Sequence, residues 1–83
     1  MEKTIHTRDY AVVLRLLKEA RERAGITQVQ LAKRLKQSQS FVSKMECGDR
    51  RIDIVQLRSF CRIFGLTLTE FSQRLETELN SRK

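Results

Sequence analysis

Apolar residues recur along the chain at intervals of three and four positions, the spacing that places them on one face of an α-helix. This spacing begins near residue 9 and continues, with short interruptions, to residue 79. Strict alternation of apolar and polar residues, which would indicate a β-strand, is sustained nowhere in the sequence. The pattern therefore predicts an all-α fold of five helices, at residues 9–24, 28–35, 39–46, 54–64 and 68–79.

Capping residues mark where these helices begin and end. A Thr or Asp followed three positions later by Gln or Glu forms a capping box, in which each side chain bonds the other residue's backbone N–H. The chain has three such pairs: Thr27 with Gln30, Asp53 with Gln56 and Thr67 with Glu70. Ser38 is a further N-cap candidate. Glycines at 25, 48 and 65 stand where helices should end in a left-handed residue.

The second and third predicted helices are too short to be stable alone and must pack on their neighbours. The connection between them, residues 36–38, forces a sharp turn, so the two form a helix-turn-helix. On a helical wheel Val42 and Met45 mark the inward side of the third helix. The outward side carries the polar residues Ser40, Ser43 and Lys44, with Gln39 at its N-terminal flank. Such a face could read DNA bases or could be a solvated surface, and the wheel alone does not choose between them.

Length and charge narrow the class of protein. At 83 residues we expect one domain at 9–79 with its C-terminal helical segment at 66–79, a flexible arm at 1–8 and a frayed tail at 80–83. The formal net charge of +7 is concentrated in the middle, because residues 27–62 carry +5 while residues 63–83 are neutral. A basic middle indicates a polyanionic partner, either nucleic acid or an anionic membrane.

Several classes of site lack the residues they need. The longest run of aliphatic residues, Ala11–Leu14, is only four residues long, so we expect no membrane span, and charges near the start argue against a signal peptide. Two cysteines, Cys47 and Cys61, make no disulfide framework, which favours the cytoplasm. His6 is the only histidine. We therefore expect no enzyme, no metal or other cofactor, no membrane partner and no small-molecule ligand.

Three successive motifs cover the middle of the chain. They read Thr27-Gln28-x-x-Leu31-Ala32, then Ser38-Gln39-Ser40-x-Val42-Ser43-x-Met45-Glu46-x-Gly48-x-Arg50-Arg51, then Leu57-x-x-Phe60-Cys61-x-x-Phe64-Gly65-Leu66. Together they resemble the Cro/phage-repressor (Xre) family of helix-turn-helix transcriptional regulators, over about residues 10–72. The resemblance implies a five-helix, lambda-repressor-like DNA-binding domain. Lys36, Ile52 and Cys61 depart from the family's frequent glycine, proline and alanine.

The resemblance also implies which residues contact DNA. Base contacts fall on Gln39, Ser40 and Lys44, whose side chains can hydrogen-bond base edges. Phosphate contacts fall on five residues, with Ser43 and Lys33 the weaker candidates: Gln28, Arg50, Arg51, Ser43 and Lys33. For each, exposure without a contact is the alternative, and Arg50 or Arg51 could instead pair with Asp49. Phe41 could contact DNA but is expected to pack at the edge of the core.

By the same resemblance Arg21 and Glu46 form an ion pair that fixes the third helix against the first. The alternative is that Arg21 pairs with neighbours along its own helix.

The expected function is sequence-specific binding of double-stranded DNA by a transcriptional regulator, acting as a repressor-like homodimer on a palindromic operator. The dimer would use an apolar stripe on the last helix, formed by Leu68, Phe71, Leu75 and Leu79. Alternatively this helix folds back onto Val12 and Leu16 of the first. The competing function is a protein-interaction module, antitoxin-like or an adaptor subunit. RNA binding is disfavoured because no aromatic stacking platform is evident.

Overall fold

The computed structural model describes residues 8–81 and contains the five expected helices. They are α1 (Arg8–Arg23), α2 (Gln28–Leu35), α3 (Gln39–Cys47), α4 (Ile54–Ile63) and α5 (Leu68–Ser81). No β-strand occurs within these residues, so the all-α fold class is confirmed.

The ends of the domain differ slightly from expectation. Arg8 belongs to α1 and not to an arm, and residues 1–7 lie outside the described part of the chain, as does the sole histidine, His6. Asn80 and Ser81 belong to α5, so the expected frayed tail is wrong for these two residues, while residues 82–83 are also not described. Neither Asn80 nor Ser81 breaks the helix, and the Ser81 hydroxyl donates to the Glu78 carbonyl at 3.0 Å in its last turn.

The predicted caps are present. In the box at α2, the Gln30 N–H donates to Thr27 Oγ1 at 3.1 Å and the Thr27 N–H donates to Gln30 Oε1 at 2.9 Å. Equivalent reciprocal bonds start α4 and α5. Ser38 caps α3 by accepting from the Phe41 N–H at 3.1 Å, and the glycines at 25, 48 and 65 have positive φ. Helices α2 to α5 therefore begin where a capping side chain satisfies free backbone groups.

One core joins all five helices. Its buried members are Leu17, Ile26, Leu31, Ala32, Val42, Met45, Phe60, Cys61 and Phe71. Phe41 and Ile52 pack against it from partly buried positions. Burial raises the pKa of the Cys61 thiol because the thiolate would lose its solvation, so Cys61 acts as a small neutral core side chain.

The apolar stripe on the last helix, α5, does not lie wholly on the surface. Phe71 is only 1% exposed and belongs to the core, so its assignment to a dimer interface is wrong. Its position on the stripe faces the domain because α5 packs against both α1 and α4. Leu68, Leu75 and Leu79 are half-buried. The Glu78 carboxylate bonds Arg15 of α1 at 2.7 Å. The last helix therefore folds back onto the first, as the alternative expectation had it.

Candidate nucleic-acid interface

The outer face of α3 presents a compact set of polar side chains. Gln39, Ser40 and Lys44 are exposed, and Ser43 is half-exposed. On the opposite side Val42 is fully buried and Met45 is 2% exposed. The core thus holds one side of the helix, which leaves amide, hydroxyl and ammonium groups on the other. These groups are the donors and acceptors that hydrogen-bond base edges in a major groove.

A buried ion pair fixes the orientation of α3. Arg21 of α1 donates through Nε to Glu46 Oε2 at 2.6 Å and through Nη2 to Glu46 Oε1 at 3.2 Å. The two side chains are 9% and 7% exposed. Arg21 Nη1 also donates to the Ile26 carbonyl at 2.8 Å. The expected pair is therefore present. Its two-point geometry sets the rotation of the helix more than a single contact would.

Gln28 joins the same network from the first turn of α2. Its Nε2 donates to Glu46 Oε1 at 2.9 Å. From the sequence this side chain was expected to contact a phosphate, and its bond to Glu46 was not predicted. Because Gln28 and Glu46 are eighteen positions apart, no helical spacing rule connects them. The result is that one carboxylate ties α1, α2 and α3 together directly behind the exposed face.

The loop from residue 48 to residue 53 carries the two candidate phosphate-binding arginines. Gly48 ends α3 in a left-handed conformation, with φ of 88°, and turns the chain toward α4. The Arg50 guanidinium carbon lies 4.9 Å from the centre of the Phe41 ring, and that of Arg51 lies 5.3 Å from the centre of the Tyr10 ring. Tyr10 was not predicted as part of this site from the sequence, because it is far from Arg51 along the chain.

The remaining candidate residues are spread over the surface. Lys33 is exposed in the last turn of α2, so it stands on a different helix from the base-reading candidates. The half-buried leucines of α5 belong to a separate helix that packs on α1. The structure therefore brings together the α3 face and the 48–53 loop, which adjoin along the chain. It ties Gln28 to them through Glu46.

Within residues 8–81 no group of three or more His, Cys, Asp or Glu side chains is placed to hold a metal ion. Cys47 is exposed and Cys61 is buried. None of the described helices combines the length and apolar character needed to cross a bilayer. An open groove between α1 and α5 is lined by charged side chains of both signs, among them Arg15, Glu19, Glu70 and Arg74.

Comparisons with known proteins agree with this fold. A family model described as a helix-turn-helix domain matches residues 13–73. A solved structure of an XRE-family like protein from Pseudomonas syringae pv. tomato str. DC3000 is similar, with 47% sequence identity and a TM-score of 0.81. The match covers 90% of this chain and 92% of that one. No curated protein sequence matches the chain.

Proposed function

The chain belongs to the XRE-type helix-turn-helix family of DNA-binding transcriptional regulators, and from this premise we propose that the protein is a repressor-like dimer whose α3 helix recognises a specific sequence of double-stranded DNA. The observation that carries the proposal is the exposed polar face of α3, held from behind by the core and by the bond of Glu46 to Arg21. A rigidly seated helix can present side chains to bases without a further loss of backbone freedom on binding.

Base recognition is assigned to three residues of α3. The Gln39 amide can pair with adenine through two hydrogen bonds, and the Lys44 ammonium can reach the O6 and N7 acceptors of guanine. The Ser40 hydroxyl can donate to an acceptor or accept from a donor on a base edge. All three side chains are exposed.

Backbone contacts are assigned to residues around this face. Arg50 and Arg51 suit phosphates because the guanidinium can donate two parallel hydrogen bonds, and Ser43 and Lys33 add a hydroxyl and a charge. Gln28 donates one amide hydrogen to Glu46. An amide nitrogen carries two hydrogens, so a phosphate at the start of α2 could take the other.

The dimer is proposed because a single recognition helix reads only a few base pairs. Two copies related by a two-fold axis would place their helices about one DNA turn apart and would read a palindromic operator. The exposed edges of Leu68, Leu75 and Leu79 on α5 would form the contact. We place the protein in the cytoplasm, with no cofactor and no small-molecule ligand assigned to it.

Selection of bound duplexes from a random DNA pool tests this proposal. We expect enrichment of an inverted repeat whose half-sites are about 10 base pairs apart, centre to centre. A duplex RNA of the enriched sequence should compete poorly, because the RNA major groove is too narrow for a helix. Absence of any enriched sequence would contradict the proposal and would favour the protein-interaction module.

A further inference from the structure

Both arginines of the 48–53 loop lie against aromatic rings from different helices. Arg50 lies over Phe41 of α3 and Arg51 lies over Tyr10 of α1, at 4.9 and 5.3 Å from the ring centres. Distances under about 6 Å are those at which a cation is attracted to the face of a ring. Two consecutive arginines are therefore each held by an aromatic side chain.

Tyr10 makes a second contact with the same loop. Its hydroxyl accepts a hydrogen bond from the backbone N–H of Ile52 at 3.1 Å. Ile52 is itself half-buried against the core. One tyrosine thus fixes the backbone of the loop immediately after Arg51 and also the side chain of Arg51.

The two ends of the loop are also fixed. At its start the Asp49 N–H donates to the Lys44 carbonyl at 2.8 Å. At its end Asp53 caps α4 through the Gln56 N–H at 2.8 Å. Tyr10 and Phe41 act on the stretch between these two points, where the basic side chains are.

Attraction to a ring face is compatible with phosphate binding, because the five N–H donors of a guanidinium lie in its own plane and not above it. An arginine side chain loses rotamer freedom when it binds a phosphate, and one already held against a ring has lost part of that freedom. The rings should therefore raise the affinity of the loop for the DNA backbone without touching DNA.

We propose that Tyr10 and Phe41 are positioning residues for DNA binding, which hold Arg51 and Arg50 in the geometry that meets the phosphate backbone. The inference rests on the proposed function, because it needs the loop arginines to contact phosphates. It adds two residues that contribute affinity through the arginines and carry no base preference.

Double-mutant cycles on DNA affinity test the inference, using the enriched duplex and a shuffled one. Arg51→Ala should weaken both duplexes and lower the salt slope by about one. Tyr10→Leu should weaken both about two- to fivefold in the parent chain, and should have much less effect when Arg51→Ala is already present. Phe41→Leu and Arg50→Ala should behave in the same way, and Phe41→Tyr, which keeps the ring, should bind as the parent does.

A conservative change separates positioning from folding. Tyr10→Phe keeps the ring beside Arg51 and removes the hydroxyl that accepts from the Ile52 N–H, so it should retain the salt slope of the parent chain. Thermal unfolding of each variant identifies those that lose the fold. If Tyr10→Leu does not fold, Tyr10→Phe still decides: a salt slope lowered as in Arg51→Ala would overturn the assignment of the Tyr10 ring.

The outcomes distinguish this inference from the function on which it rests. Wild-type affinity and salt slope in folded Tyr10→Leu and Phe41→Leu, together with weak binding by Arg50→Ala and Arg51→Ala, would overturn the inference and leave the proposed function standing. So would losses that simply add in the two cycles. If no duplex is enriched by the parent chain, the proposed function itself fails.

Discussion

Lys36 occupies a backbone conformation that favours glycine. It ends α2 with φ of 59° and ψ of 42°, and among the described residues it is the only non-glycine with positive φ. Its N–H bonds the carbonyls of Ala32 and Lys33, which closes the helix. A side chain with a Cβ in this region costs about 1–2 kcal/mol. The left-handed conformation of Lys36 at the turn between α2 and α3 therefore lowers the stability of the domain.

Replacing Lys36 by glycine should stabilise the domain. The change relieves the left-handed strain, and the greater freedom of glycine in the unfolded chain offsets part of the gain, so we expect about 0.5–1 kcal/mol in urea unfolding. Gln37→Gly is the matched control, because that exposed neighbour does not have positive φ, and it should be destabilising. Equal losses in the two variants would show that Lys36 is unstrained.

Residues whose partners are close along the chain were the ones that the sequence could identify. Each capping box spans three positions, so its two side chains can be recognised together. The inward and outward sides of α3 follow from helical periodicity in the same way. The departure at Lys36 was recognised from the family resemblance, which places a frequent glycine at this turn.

Contacts between distant residues followed no such rule. The bonds of Gln28 to Glu46 and of Tyr10 to Ile52 join residues 18 and 42 positions apart. They depend on how the helices pack. The wrong assignment of Phe71 to a dimer interface has the same origin. An apolar stripe on a helix does not indicate whether it packs against a helix of the same chain or against a second copy. The pair of Arg21 with Glu46, 25 positions apart, was expected only because of the family resemblance.

At the scale of elements, the bond of Glu46 to Arg21 connects α1 to the helix that carries the polar face. It is nearly excluded from solvent. Removing one partner of such a pair leaves the other charge buried without compensation, which costs about 3–5 kcal/mol. The pair should therefore hold the helices in one arrangement, even if its net contribution to stability is small.

A double-mutant cycle in urea unfolding measures this coupling. Arg21→Ala and Glu46→Ala should each destabilise the domain by about 3 kcal/mol, and the double variant should lose clearly less than the sum. Arg15→Ala is the control, because its bonds to Glu19 and Glu78 lie on the surface and it should have little effect. Additive losses at Arg21 and Glu46 would mean that the pair does not couple α1 to α3.

At the scale of the whole molecule, the proposed dimer requires a surface apart from α3. The half-buried leucines of α5 offer one. Ile54 and Val55, at the start of α4, form a second exposed apolar site, with Val55 71% exposed. Burying either surface would remove apolar area from water, so the two must be distinguished by experiment.

Light scattering of charged variants makes the distinction. The wild-type chain should be a dimer, and Leu75→Glu combined with Leu79→Glu should give a folded monomer that binds the palindromic site weakly. Val55→Glu should remain dimeric. A wild-type monomer at high concentration would rule out the dimer, and outright unfolding of the leucine variant would place those side chains in the core. Dissociation by Val55→Glu alone would move the interface to α4.

Sequence readout by α3 is tested most directly by one affinity ratio, that of the enriched duplex to a shuffled duplex of the same composition. Lys44→Ala and Lys33→Ala remove the same charge from two exposed lysines, one on α3 and one on α2. We predict that Lys44→Ala lowers the ratio about tenfold, the loss of one base contact. Lys33→Ala should weaken both duplexes equally and leave the ratio unchanged. An unchanged ratio in Lys44→Ala, or an equal fall in both variants, would contradict base reading by this helix.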